Sequence, residues 1–247
     1  IALLAIILCA CNREVMPETA DMPVRVSAKI APSIITRVTD DGTAFTDGDM
    51  IKVNNLNRES KNLATYTYSA SSKKWNTTDE LYWDGNSDNT FNAWYPATAE
   101  YTSFNIPSDQ SSGTAQADWM TATTTAKKSD GTVELLFAHH LSKVRITIES
   151  WSNEYTEDKQ VVNSLELKSL SGGMSYDGVV AMGDMATKWV KSYASTSNTT
   201  YVAIVAPGMY EANEEIMKLY VNDSSLPLIV KTSKAVIIES SKAYNFK

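Results

Sequence analysis

The chain has 247 residues, with 22 Lys and Arg against 29 Asp and Glu, a formal net charge of −7. That length allows one large all-β domain or two of about 100–150 residues, and the acidic balance excludes the basic stripe of a nucleic-acid binder. Only 10 Gly and 7 Pro argue against a disordered or collagen-like chain, and 2 Cys supply no disulfide framework.

The apolar run Ile1–Ala10 is too short to span a bilayer, which takes about 20 residues. It has the length of a signal-peptide core. No Met or basic stretch precedes it, so the true start is expected to lie upstream of Ile1. Residues 11–23 read as a polar, Pro-bearing tether. Leu8-Cys9-Ala10-Cys11 resembles the bacterial lipobox. The resemblance implies cleavage before Cys11, loss of Cys9 and diacylation of the Cys11 thiol, giving stable membrane anchoring. The alternative for this segment is a buried apolar strand with two incidental cysteines.

From residue 24 onward period-two alternation dominates. Val144, Ile146 and Ile148 alternate with Arg145, Thr147 and Glu149; Leu165 and Leu167 alternate with Glu166 and Lys168. Strands are predicted near 24–30, 33–38, 50–54, 64–69, 90–95, 117–121, 132–138, 142–149, 161–170, 199–206, 216–221, 226–231 and 235–246. Turn signals such as Asp47-Gly48, Asp84-Gly85 and Asp130-Gly131 punctuate them. The runs on either side of Asn222–Ser225 read as a hairpin with a four-residue loop. Glu211–Met217 is the one plausible helical turn, and it also reads as a loop. Many short strands imply sandwiches or barrels, and two sandwiches suit the length. The polar stretch Thr121–Asp130 is the best linker, which places the domains at 24–131 and 132–247.

Ten aromatics fall between Tyr66 and Phe104. They suit a large-residue core, with a sugar-stacking platform as the functional alternative. Neighbours such as Tyr82 and Trp83 point to opposite faces of a strand, so they cannot share one platform. Three places carry residue types that could do chemistry. His139 and His140 are adjacent, so on a strand they diverge; one is expected in the packing and one at the surface. Ser71-Ser72-Lys73-Lys74 contains a Ser-x-x-Lys spacing but sits in a turn-like setting and reads as a hairpin loop. Asp40, Asp41, Asp47 and Asp49 lack the spacing of a calcium loop and read as turn formers. A glycosidase would need two carboxylates facing each other across about 5–9.5 Å, and no such pair can be located. No catalytic residue, metal or cofactor is therefore expected.

An ordered series of short motifs carries a family resemblance. It runs Ile35-Thr36-Arg37, Phe45-x-x-Gly48-Asp49-x-Ile51-x-Val53, Tyr66-Thr67-Tyr68, Trp75, Leu81-Tyr82-Trp83, Phe91-x-Ala93-Trp94-Tyr95-Pro96, Asp109-Gln110-Ser111, Ala117-Asp118-Trp119-Met120-x-Ala122 and Phe137-x-His139-x-Leu141-Ser142-Lys143-Val144. Behind a lipobox, this series resembles the fimbrillin (Mfa-like) lipoproteins of anaerobic Gram-negative bacteria, over residues 24 to 247. The resemblance implies an all-β fold of two tandem transthyretin-like β-sandwich domains. It implies a structural role for His139. It also implies a fimbrial subunit (stalk, anchor or tip) at the cell outer membrane, mediating adhesion. The implied partners are other subunits, by strand complementation, and the outer membrane through acylated Cys11. A host or bacterial surface receptor is a further implied partner.

In the family a protease cuts after an Arg and frees an N-terminal strand. Arg25, inside the first predicted strand, and Arg37, after the second, are the candidates here. Arg37 alternatively is a surface residue in a strand turn. Members tend to continue beyond a strand like Tyr244-Asn245-Phe246, so this sequence is expected to be a fragment at both ends. The alternative function is a non-polymerising surface lipoprotein that binds glycan or host protein.

Overall fold

The computed structural model describes residues 21–32, 34–35, 44–156, 160–183, 185–195, 199–222 and 224–247. It is an all-β protein with two hydrophobic cores.

The first core is wrapped by a seven-stranded sheet. Its strands, in spatial order, are β1 (Val26–Ile30), β9 (Val133–His139), β8 (Met120–Lys127), β6 (Asp88–Tyr95), β3 (Met50–Asn55), β4 (Leu63–Ser69) and β5 (Lys74–Asn76). Alternate residues point inward, as a pleat requires. Ile51 and Val53, Ala64 and Tyr66, Phe91 and Ala93, and Val133, Leu135 and Phe137 are all buried. The sheet curls until β1 and β5 approach each other. Phe45 seals the inside with edge-on contacts to Trp75, Tyr95 and Phe137 at 4.9, 5.7 and 5.5 Å.

The predicted linker Thr121–Asp130 is not a linker: most of it is β8, an interior strand. One face carries buried Met120 and Ala122. The other is a wet threonine ladder, with Thr123 bonded to Asn92 at 3.0 Å and Thr125 opposite Thr90. Threonine suits such a half-wet pleat, and its polarity mimics a linker in the sequence. Gly131, at φ +74°, turns the chain back into β9. The first sheet therefore runs on to His139, and the cut at 131 falls inside this turn.

The second core lies mainly between a five-stranded and a four-stranded sheet. The five-stranded order is β15 (Tyr193–Ala194), β16 (Thr200–Val205), β10 (Ser142–Thr147), β21 (Lys242–Phe246) and β2 (Ile34–Ile35). The four-stranded order is β14 (Lys188–Lys191), β11 (Val162–Ser169), β18 (Glu215–Val221) and β19 (Leu228–Lys231). Smaller sheets of β13 (Val180–Met182), β12 (Gly173–Tyr176) and β7 (Ser103–Asn105), and of β17 (Gly208–Tyr210) with β20 (Val236–Ile238), close the ends. The hairpin predicted around Asn222–Ser225 is β18 with β19. Glu211–Met217 forms a turn leading into β18.

Two features tie the cores together. Residues 97–119 leave the first sheet and enter the second core, where Ala99, Phe104, Ile106, Ala117 and Trp119 are buried. Trp94 Nε1 donates to Ala99 O at 2.8 Å and Trp119 Nε1 to Glu100 O at 3.1 Å, pinning this excursion. The predicted strand 235–246 breaks at Ser240–Ser241, where Ser241 adopts φ +60°. There Ser240 Oγ donates to His140 O at 2.9 Å, Ser241 Oγ to His139 O, and Ser241 N to Leu141 O at 3.0 Å. The strand break thus clamps the crossing from β9 to β10.

Candidate subunit-docking edges and groove

The stretch from Met22 to Ile35 contributes to both bodies. Trp83 N donates to Met22 O at 3.1 Å and Val24 N to Leu81 O at 2.9 Å. Tyr66 Oη donates to Val24 O at 2.8 Å. β1 then runs parallel to β9, with Val26 opposite Val133 and Ile30 opposite Phe137. β2 runs parallel to β21, with Ile34 opposite Lys242 and Ile35 opposite Ala243. Each is the terminal strand of its sheet. Apart from β10 with β21, every other strand pair in these two sheets is antiparallel. Parallel pairing is slightly the less stable per residue.

Among the described residues β2 pairs with Lys242 and Ala243. A small, almost wholly apolar groove of about 30 Å³ lies against β21. Val144 and Ile146 of β10, Leu167, Val205 and Phe246 line it, with Ile216, Val236, Tyr210 and Ile238 on the facing side. Tyr210 Oη closes one end by donating to Lys168 O at 2.6 Å, and burial pushes its hydroxyl pKa up. At the rim Lys168 Nζ lies 2.7 Å from Glu214 and holds that carboxyl below its ordinary range.

The residues singled out in the sequence fall as follows. Cys11 and Arg37 lie outside the described residues, as do Cys9, Asp40 and Asp41. Arg25 is exposed, but its own carbonyl accepts Val133 N at 2.8 Å, so its backbone already belongs to the ladder. The structure does not bring Arg25 to the groove. Asp47 accepts Ala70 N at 2.8 Å, and Asp49 accepts Thr46 N at 2.7 Å and Tyr95 Oη at 3.0 Å, so both serve turns and packing. Ser71–Lys73 lie in the exposed turn between β4 and β5, and Lys74 opens β5. The two histidines diverge. His140 is buried between Trp119 and Tyr176, at 4.7 and 4.6 Å, and bonds Thr121 Oγ1 at 2.7 Å. His139 Nδ1 lies 2.7 Å from Asp118 Oδ1, closer to the surface. Of the ten aromatics, Tyr66, Trp83, Phe91, Trp94, Tyr95 and Phe104 are buried, which leaves no continuous platform.

The comparisons with known proteins agree with this architecture. A family model described as fimbrillin-like matches residues 36–247. The chain belongs to the fimbrillin-like family. The fimbrillin-like fold recurs in solved structures of low identity. A candidate cell adhesion protein of Bacteroides uniformis superposes with a TM-score of 0.64 at 18% identity, over 90% of this chain and 91% of that one. Another from Bacteroides ovatus gives 0.60 at 16% identity, covering 92% of each chain. A fimbrial protein of Bacteroides ovatus gives 0.53 at 15% identity, over 92% of this chain and 48% of that one. No curated protein matches the sequence. Sequence reasoning named the family but not its groove, whose lining comes from strands spread between Val144 and Phe246. The alternation of Val144 and Ile146 was the available signal, and it cannot say which inward face is left partly uncovered.

Proposed function

We propose that this fimbrillin-like protein is a structural subunit of a cell-surface fimbria, assembled by strand exchange and mediating adhesion. The observation that carries the reading is the placement of one N-terminal segment as the terminal, parallel strand of both main sheets. Releasing that segment opens two ladders at once. A donor strand from a neighbouring subunit can then pair with β9 or β21 in the more stable antiparallel sense and cover the groove. The exchange has a definite cost. β1 and its approach bury Val24 and Val26, and a fully buried Val is worth about 1.5–3 kcal/mol. The loss is a sizeable part of a domain's stability of about 5–15 kcal/mol, so a donor must supply comparable apolar side chains.

In this proposal cleavage after Arg37 frees the segment Val24–Thr36, and Cys11 carries the lipid that holds the precursor at the outer membrane. Arg25 is the lesser candidate, because its carbonyl is engaged with β9. The family names of similar structures, cell adhesion and fimbrial proteins, support the adhesive role. The buried aromatics weigh against the alternative of a glycan-binding lipoprotein that never polymerises.

Immunogold electron microscopy of cells with and without the gene tests the reading. Label along filaments indicates a stalk subunit, label at their ends a tip or anchor. Label without filaments overturns polymerisation. N-terminal sequencing of the surface protein tests the processing step; a mature start at Cys11 alone rejects cleavage after Arg37.

A further inference from the structure

Edge strands present unpaired N–H and C=O groups, and proteins usually guard them with charge, brevity or cover. Three terminal strands of the larger sheets are guarded. β5 begins with Lys74, and β15 has two residues. β14 carries Lys188 and Lys191 and is covered by the 108–110 loop, with Gln110 N donating to Lys191 O at 2.9 Å. β19 is different. Leu228, Ile229 and Val230 are apolar, and Leu228 and Ile229 are each 41% exposed. Leu226 just before it is 78% exposed. The strand's one charge, Lys231, lies 3.7 Å from Glu215 of its own chain.

The direction of its backbone groups follows from the neighbouring bonds. Thr232 N donates to Glu214 O at 2.9 Å, and Asn213 N donates to Thr232 O at 2.8 Å. Thr232 therefore faces β18. By alternation Val230 and Leu228 do too, while Ile229 and Lys231 aim their N–H and C=O away from the sheet.

We propose that β19 is a contact between two copies of this chain, pairing antiparallel with its own counterpart about a two-fold axis centred on Ile229. The sequence is self-complementary in that register. Ile229 meets Ile229 of the second copy and exchanges both bonds with it. Leu228 meets Val230. Lys231 meets Pro227, so no like charges stand opposite one another. Pro227 accepts from Lys231 N through its carbonyl and is not asked to donate. Two four-stranded sheets become one of eight strands. The pairing joins copies side by side and does not depend on strand exchange. The contact is short, well below the roughly 1,000 Å² of a stable interface. It is therefore weak between single copies and gains strength when copies are arrayed.

Sedimentation velocity and amide hydrogen exchange, run on the purified chain from micromolar to millimolar concentration, test it. The expected result is a concentration-dependent dimer in which the amides of Ile229 and Lys231 gain protection while that of Val230, already bonded, does not change. Ile229→Pro removes only an outward N–H on an edge strand, which such a position tolerates. It is expected to keep the thermal midpoint and lose the dimer. A chain that stays monomeric throughout overturns the proposal. So does a dimer that Ile229→Pro leaves intact, or one whose protection appears elsewhere.

Discussion

Gln110 and Ile204 exchange two hydrogen bonds across 94 positions of sequence: Gln110 Nε2 donates to Ile204 O at 2.9 Å, and Ile204 N donates to Gln110 Oε1 at 2.8 Å. The side-chain amide acts as a one-residue strand laid against β16. Gln110 is 2% exposed and Ile204 3%. Gln110→Ala strands two buried backbone groups at about 1–3 kcal/mol each. A loss of about 2–5 kcal/mol in urea unfolding is expected. Gln110→Glu, which cannot donate to Ile204 O and buries a charge, is expected to lose more. Wild-type stability in Gln110→Ala would rule out this anchoring.

His140 makes stability depend on acid. Burial lowers its pKa to about 4; adjacent His139 lowers it further, while Asp118 opposes the shift. The unfolded chain binds the proton near pH 6.5, so folding excludes a proton. The stability is full above about pH 6.5 and falls as pH drops toward 4. The shift is worth about 3 kcal/mol in all. Denaturant melts of wild type and His140→Gln across that range should diverge in slope, the variant being the flatter. Parallel pH profiles would show that the imidazole is not excluded from protonation.

Asn89 is buried with every polar atom used. Its Oδ1 accepts Asn55 Nδ2 and Asp84 N, both at 2.7 Å, and its Nδ2 donates to Asp84 O and Ser87 O, both at 3.0 Å. It holds the turn before β6 and the end of β3 together. Asn89→Ala is expected to cost about 2–4 kcal/mol, since each abandoned partner is buried or part-buried. The double variant with Asn55→Ala should cost less than the sum of the two singles by at least about 0.5 kcal/mol. Strict additivity would mean that the two amides do not act as a unit.

Val236 sits half-buried in the groove lining. Val236→Arg is expected to leave the monomer folded, with a loss of about 1–2 kcal/mol, because the long stem can carry its charge toward solvent. Filament label on cells is expected to vanish while the protein still reaches the surface. Normal filaments in this variant would remove the groove from the assembly mechanism.

Much of the fold was legible because half-wet strands alternate visibly. Ile51 and Val53 in β3, or Val144 and Ile146 in β10, announce their faces. What misled was polarity without a matching loss of structure. Thr121–Asp130 looked like a linker because the outer face of β8 is threonine, and the sequence does not show that Met120 and Ala122 are its buried partners. Strands such as β7, β12, β13 and β17 are three or four residues long, too brief for a period to emerge. The parallel terminal strands were least legible. That β1 and β2 lie parallel to β9 and β21 depends on where the chain has been by the time it returns, and no local pattern encodes it. Gln110 stood out only as part of a motif series; its partner 94 positions on is a backbone, which leaves no trace in residue type.

The parallel pairing of β10 with β21 has a mechanical meaning. The chain passes from the first sheet into the second body for the last time at the start of β10, just after the His139–Leu141 crossing, and β21 ends at Phe246. In a parallel pair those two points lie at opposite ends. A force applied between those two points loads the strands in shear. The register pairs from Lys143 with Ala243 to Ile146 with Phe246 then bear the load together, not one after another as in an unzipping hairpin. Pulled between those two points, the pair fails cooperatively and not residue by residue.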